Sequence, residues 1–368
     1  MISAIAGRFP LINRPRPLGL PLPERIAALT EPLLGADGVG HHEQVARASS
    51  VINLASLIAS DIGRHDLAAQ MCWKHYGTFA AAPRLDDPAT AVMAVQPLMN
   101  IARLLTRGGD PRHAYEVLEQ LYQAARTRSA AQVCGRGVDV SAIIRNPEGH
   151  RKIAAELWAA VLSDGLRSLA RAGRWAHAAQ TAAAHKGVGA RLWDGRQSTI
   201  LALLERGNCS DAAAMVEDSE ISDAPEKAVA SVLRAFCLLE AGTTDLTPIE
   251  IAGAEALELI EADDPPTIFF RTQLALTALA LADTSDTSPS TALRLREVVV
   301  AAAHTDAYAA RAVVATLGDD ETESLQRVVE SGGLGRSPTA TSLLDRLLES
   351  AAAAESKLAD LLAAQAAS

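Results

Sequence analysis

Asn100, Arg103 and Arg107 follow one another at i, i+3 and i+7, and Asp164, Arg167 and Arg171 repeat that spacing further along the chain. On an α-helix these offsets share one face. A carboxamide beside two guanidiniums is equipped to hold carboxylates or phosphates, because each planar arginine fork donates paired hydrogen bonds. The bland alternative is a solvated outer face. It remains open, since arginine is common throughout and lysine supplies only five of the 34 basic residues. A second polar group, Trp193, Asp194, Arg196 and Gln197, places an aromatic ring, a charge pair and an amide within five residues. It either lines the same groove or divides into a helix-capping Asp194 and a core Trp193. In the dense patch Trp73, Lys74, His75 and Tyr76, core packing is expected for the rings.

Catalytic constellations fail on inspection. His42-Glu43 begins like the zinc-protease HExxH, but Ala46 stands where the second histidine belongs. Gly187-Val188-Gly189 lies between helical runs, and Leu192 replaces the third glycine of a dinucleotide fingerprint. No phosphate-binding loop of the GxxxxGK[ST] type, no GxSxG elbow and no kinase motif occurs. Cysteines 72, 134, 209 and 237 lie far apart, without zinc spacing. No catalytic residue, metal or cofactor is therefore expected.

The elements that must carry these residues emerge when the glycines are aligned. Gly63, Gly109, Gly173 and Gly207 are each followed five residues later by alanine: Ala68, Ala114, Ala178 and Ala212. Leu105, Leu169 and Leu203 stand four residues before their glycines, and Ile58 holds a similar place in the first unit. Around Gly173, Leu166, Leu169 and Ala170 form one apolar stripe and Trp175, Ala178, Ala179 and Ala182 another, which reads as helix, turn, helix. Neither stripe is buried by its partner alone, so stacked neighbours are required. In this register Asn100, Asp164 and Ser198 all fall nine residues before the glycine and Asn53 ten before, a polar line along successive first helices.

The separation from Gly173 to Gly207 is 34 residues and from Gly207 to Gly242 35, the tetratricopeptide period. Gly173, Trp175 and Ala178 resemble that family's turn glycine, aromatic and small residue; the other units keep glycine and alanine, with Pro111 in place of the aromatic in the second. The resemblance covers roughly 200 central residues. It implies a right-handed helical-hairpin solenoid whose first helices line a concave surface, and it places Asn100 where family members often hydrogen-bond a bound peptide's backbone or terminal carboxylate.

The expected fold is thus all-α, with roughly 65 to 75% helix against a base rate near a third; aromatic content of 4% and scarce β-branched runs agree. Residues 1–35, with prolines at 10, 15, 17, 21, 23 and 32 and arginines at 8, 14, 16 and 25, form an extended arm that either packs along the first helices or docks a partner. Residues 36–245 carry the repeats. The longer glycine spacings, 46 from Gly63 to Gly109 and 64 from Gly109 to Gly173, call for a turn around Ala80 to Pro88 and an insertion over 127–149. Strand-like alternation around Gly-Arg-Gly makes the insertion a short hairpin or ordered loop protruding from the array, serving as a partner contact or a structural patch. Over 246–335, helices are expected near 248–262, 266–282, 290–316 and 320–331. In 336–368 the seam Leu344, Leu347, Ala351, Ala354, Leu358 and Leu361 fits a capping helix or, through the same seam, a homodimer.

A formal charge of −10 argues against a general nucleic-acid binder. Reduced, scattered cysteines fit the cytoplasm, and no 18-residue apolar run indicates a membrane span. The expected function is a non-catalytic scaffold holding a peptide or protein partner in a groove lined by Asn53, Asn100, Arg103, Arg107, Asp164, Arg167, Arg171, Trp193, Asp194, Arg196 and Gln197. The arginine and alanine bias, pointing to a GC-rich genome, resembles actinobacterial helical proteins that accompany peptide-modifying enzymes of specialised metabolism, which implies an accessory subunit with a biosynthetic enzyme as partner. Two rival expectations are a helical lyase or transferase acting on a peptide in the same groove, and a ligand-sensing regulator.

Overall fold

The computed structural model describes residues 9–11, 15–34, 38–284, 289–318, 322–335 and 340–365. Arg8, Arg14, Ser337 and the middle of the polar turn at 283–290 lie outside the described residues. The fold is all-α, with about 75% of the chain helical. In chain order the helices are α1 (Leu22–Ala27), α2 (His41–Asp61), α3 (His65–Ala81), α4 (Pro88–Met93), α5 (Gln96–Arg107), α6 (Pro111–Thr127), α7 (Pro147–Ala160), α8 (Leu166–Arg171) and α9 (Trp175–Ala184). Then come α10 (Asp194–Glu205), α11 (Cys209–Glu217), α12 (Ala224–Glu240), α13 (Thr247–Ile260), α14 (Ile268–Thr284), α15 (Pro289–Ala303), α16 (Ala307–Leu317), α17 (Glu323–Ser331) and α18 (Thr341–Gln365).

The aligned glycines are one turn made repeatedly. Gly63, Gly109, Gly173, Gly207 and Gly242 have φ of 79°, 91°, 67°, 77° and 74°, the left-handed region that a side chain disfavours. The next residue donates its N–H to the carbonyl five residues back, closing the helix as in a Schellman motif: Arg64 to Ala59, Asp110 to Leu105, Arg174 to Leu169 and Asn208 to Leu203, each 2.9 Å, and Thr243 to Leu238 at 3.1 Å. That same residue then caps the following helix with near-identical backbone angles, ψ being 61° at Arg64, 63° at Asp110, 55° at Arg174 and 61° at Asn208. The paired alanines Ala68, Ala114, Ala178 and Ala212 have no exposed surface. A larger residue there would hold the second helix off its neighbour.

The chain divides into two compact units. One comprises Leu22–Ser168 with Gly333–Ser368. Its helices α2 and α3 pair, as do α5 and α6; α3 packs on α5, and α7 on α4 and α6. Helix α18 lies on α2 and α3, so the seam residues Leu347, Ala354 and Leu358 are fully buried within the chain, against its first hairpin. The insertion contains a two-stranded antiparallel hairpin, β1 (Ala131–Val133) with β2 (Arg136–Val138). Its turn falls on Cys134 and Gly135, φ 50° and 77°, one step before the Gly-Arg-Gly centre expected, because two left-handed residues are what a tight hairpin needs. Nor does the insertion simply protrude: Val133, Val138, Val140, Ile143 and Ile144 are buried in the core, and Leu85 bridges to Ile144.

The other unit comprises Met1–Pro21 with Leu169–Gly332. From α9 to α17 each helix packs on the next, and α13 also touches α15 and α14 touches α16. The expected helix over 290–316 is instead two, α15 and α16. The break comes at Asp306, whose carboxylate accepts from the N–H of Ala309, capping α16, and from that of Gly19 at 2.7 Å. The described arm residues 9–11 and 15–20 are neither helix nor strand. These residues lie along α12, α14 and α16, whereas the remainder of the expected arm is helical rather than extended: α1 and the 3-10 turn Ala28–Leu33 pack on α2, as an arm along the first helices should. Phe9 meets Phe236 edge-on at 6.2 Å, and the Arg16 guanidinium stacks over Phe269 at 4.4 Å and Tyr308 at 3.8 Å.

Candidate functional site: a polar ladder on successive first helices

Helices α2 and α5 and the turn leading into α8 bring Asn53, Asn100, Arg103 and Asp164 into one hydrogen-bonded series. Asn53 donates to Gln96 Oε1 at 3.3 Å, Asn100 donates to Asn53 Oδ1 at 2.9 Å, and Arg103 Nη1 donates to Asn100 Oδ1 at 2.7 Å. Nε and Nη2 of Arg103 both reach Asp164 Oδ2, at 2.9 and 2.7 Å. The carboxamides thus all point their donors the same way, which lets each bond polarise the next. Arg103 is 42% exposed and Asp164 17%. The remaining N–H groups of Arg103 have no protein acceptor among the described residues.

Asp164 reaches this position from an irregular stretch. Val161–Gly165 is a π-turn joining α7 to α8, a feature frequent at functional sites. Ser168 Oγ donates to the Asp164 carbonyl at 2.7 Å and meets Thr106 Oγ1 at 2.8 Å, tying α8 to α5.

One turn further along α5, Arg107 lies 3.7 Å from Asp61. Asp61 is buried, and Arg25 of α1 approaches its other oxygen at 2.5 Å. Sequence reasoning missed Gln96, Asp61 and Arg25. A signal existed for Asp61: it stands two residues before its turn glycine, as Arg107 does before Gly109, so the register put opposite charges side by side. Arg167 is half-buried and Arg171 exposed.

The second sequence cluster divides between surface and scaffold. Trp193 is 54% exposed, with its Nε1–H on Glu226 Oε1 at 3.1 Å and the Arg191 guanidinium 4.9 Å from its ring. Glu226, fully buried and not foreseen, also accepts from Arg191 Nη2 at 2.6 Å and from the Ser222 N–H at 2.7 Å. Asp194 is buried in the first turn of α10, where Trp193 is the capping residue. Arg196 donates to the carbonyls of Gly189 and Met215 and to Ser219 Oγ, and Gln197 donates to the Leu192 carbonyl at 2.7 Å. Gln197 thus binds the loop before its own helix, and Arg196 joins that loop to the C-terminal end of α11.

Two buried groups of α3 have pKa values displaced from their ordinary range. Burial pushes the Cys72 thiol up to about 11, against the opposing pull of Ser56 and Arg103. Burial likewise lowers His75 to about 3. At neutral pH the first is no thiolate and the second no proton donor. Among the described residues no group of three or more His, Cys, Asp or Glu is placed to hold a metal ion, and no helix is long and apolar enough to cross a membrane.

No protein-family model, curated protein or solved structure matches the chain. The repeated turn and the ladder are therefore the whole basis for a functional reading.

Proposed function

We propose that the chain is a tetratricopeptide-like scaffold that binds a peptide, or a peptide segment of a partner protein, along the face carrying Asn53, Asn100, Arg103 and Asp164. The observation that carries this reading is the series of amides ending in a half-exposed arginine with unspent donors. Such a row offers partners to the unpaired backbone N–H and C=O groups of an extended peptide, while the fixed Arg103 fork loses little side-chain freedom on binding. The cluster around Trp193 stands in reserve as a second contact, since its ring is exposed yet held in place by Glu226.

The test is selection of binders from a displayed library of peptides with free C-termini, followed by fluorescence polarisation on the selected sequence. Exchanging Arg103→Glu together with Arg167→Glu weakens binding more than 10-fold, about 1.4 kcal/mol or more, with the far-UV circular dichroism unchanged. Equal affinity in the double variant would show this face to be merely solvated. Chemical conversion of the peptide by the purified protein alone would replace the scaffold reading with that of a helical enzyme.

A further inference from the structure

In the unit that contains Leu169–Gly332, the arm is held as a peptide is held in a groove. The Arg16 N–H donates to the Pro266 carbonyl at 3.0 Å, the Gly19 N–H donates to Asp306 Oδ2 at 2.7 Å, and the Gly19 carbonyl accepts from the Ala307 N–H at 3.0 Å. Asp306 is 1% exposed and its other oxygen accepts from the Ala309 N–H at 2.8 Å, so this acceptor is fixed independently of the arm. The Arg16 guanidinium stacks on Phe269 of α14 and Tyr308 of α16 and makes no ion pair among the described residues. Its charge is read by ring faces.

The contacts fall three residues apart. Arg16 and Gly19 face the groove while Pro15, Pro17 and Leu20 are exposed, which is the period of a polyproline II segment, with three residues per turn and no hydrogen bonds of its own. Prolines 15, 17 and 21 preset that backbone. Glycine is demanded at 19 by contact alone. Its φ is not in the left-handed region, but a Cβ there would lie 2.9 Å from both the Ala307 backbone nitrogen and Tyr308 Cδ2. These atoms belong to the first turn of α16 and to a ring only 2% exposed, which have no room to give way. The seat thus reads one planar cation and, three residues on, the absence of a side chain, and it pairs backbone groups that an extended segment leaves open.

We propose that this seat on α14 and α16 is a docking site for an extended, proline-flanked Arg-x-x-Gly segment of a partner protein, and that the chain's own arm is its built-in competitor. The chemistry of the occupant is the chemistry the arm displays. Each contact around Arg16 and Gly19, whether backbone bond, stacked cation or close approach, is one that a separate peptide makes equally. A tethered arm fills the seat at an effective concentration on the order of millimolar, so the partner's segment enters only by displacing it. The seat is distinct from the face carrying Arg103, which belongs to the other unit.

The probe is a fluorescein-labelled synthetic peptide of residues 9–21, long enough to include Phe9, which meets Phe236. Its binding is measured by fluorescence polarisation against the full chain and against the full-chain Arg16→Glu, Gly19→Ala double variant, whose arm is evicted while the seat itself is unaltered. The double variant is expected to bind the probe at least roughly 10-fold tighter than the parent, and a probe carrying the same two substitutions should bind it at least roughly 10-fold more weakly than the unaltered probe. Equal affinity of the parent and the double variant for the probe, or a double variant whose circular dichroism shows lost helix, overturns the proposal, because the arm is then a fixed part of the packing. Dimers of the parent that sediment as such and disappear in the double variant would assign the seat to a second copy's arm, and they too overturn it.

Discussion

Lowering the pH from 7.5 to 5 tests the packing of α3 through one residue. The His75 ring is 1% exposed, lies tilted against Phe79 with ring centroids 5.6 Å apart, and has no hydrogen-bond partner for either nitrogen among the described residues. Burial lowers its pKa from 6.5 to about 3, so the folded state excludes a proton that the unfolded chain accepts below pH 6.5. For a base with a depressed folded pKa, this stability is complete above 6.5 and is lost progressively as the pH falls towards 3. At about 1.36 kcal/mol per pH unit, the loss between pH 7.5 and 5 amounts to about 2 kcal/mol, or roughly 4 to 8 °C in melting temperature for a unit of this size. The assay compares urea unfolding of the parent and of His75→Leu at both pH values, read by tryptophan fluorescence. Asp87, whose carboxyl is held below the usual range mainly by Thr90 and Ala89 against its own burial, titrates at lower pH and cancels in the comparison. The leucine variant should be at least as stable as the parent at pH 7.5 and lose about 2 kcal/mol less on acidification. If the two proteins lose stability in parallel, the buried, unpartnered imidazole is not where the structure places it.

Three other substitutions probe the frame. Gly109→Ala meets open space around its new Cβ, so the cost is purely that of φ 91°, about 1 to 2 kcal/mol by chemical denaturation; no loss would remove the argument from the repeated turn. Leu358→Ala, at a fully buried position of α18, should cost about 2 to 5 kcal/mol, whereas Leu348→Ala, at a site 39% exposed, should cost under about 1; equal effects would mean that α18 does not pack on α2 and α3 as described. Glu226→Ala deprives Arg191, Trp193 and the Ser222 N–H of their shared acceptor, and a loss of about 2 to 3 kcal/mol with altered Trp193 emission is expected. Unchanged emission would show that Glu226 does not fix the ring.

The helical hairpins were legible because their turn depends on one residue type: only glycine enters the left-handed region cheaply, and the alanine five residues on is set by contact distance. The series from Asn53 to Asp164 was legible for the same reason, since a shared register makes side chains on neighbouring helices meet. Asp61 was equally well marked by its place two residues before Gly63. Arg25 and Glu226 carried no comparable signal. Their burial depends on partners that only the folded chain assembles, and the same holds for Arg16 between Phe269 and Tyr308. The break at Asp306 could have been read as a capping aspartate; it was masked by an alanine-rich run that supports helix on both sides. The π-turn has no residue pattern of its own, because an extra residue in a helix is a response to packing rather than to propensity.

The docking of α18 on α2 has a consequence for the order in which the protein is made. Synthesis proceeds from the N-terminus at about 5 to 20 residues per second, so roughly 10 to 40 s pass between completion of residue 168 and emergence of α18. Over that interval the face of α2 later covered by Leu347, Ala354 and Leu358 stays bare, while Leu169–Gly332 is still being added. The hairpin of α2 and α3 is thus made well before the helix that seals it, and its bare face is open to chaperone capture throughout that interval.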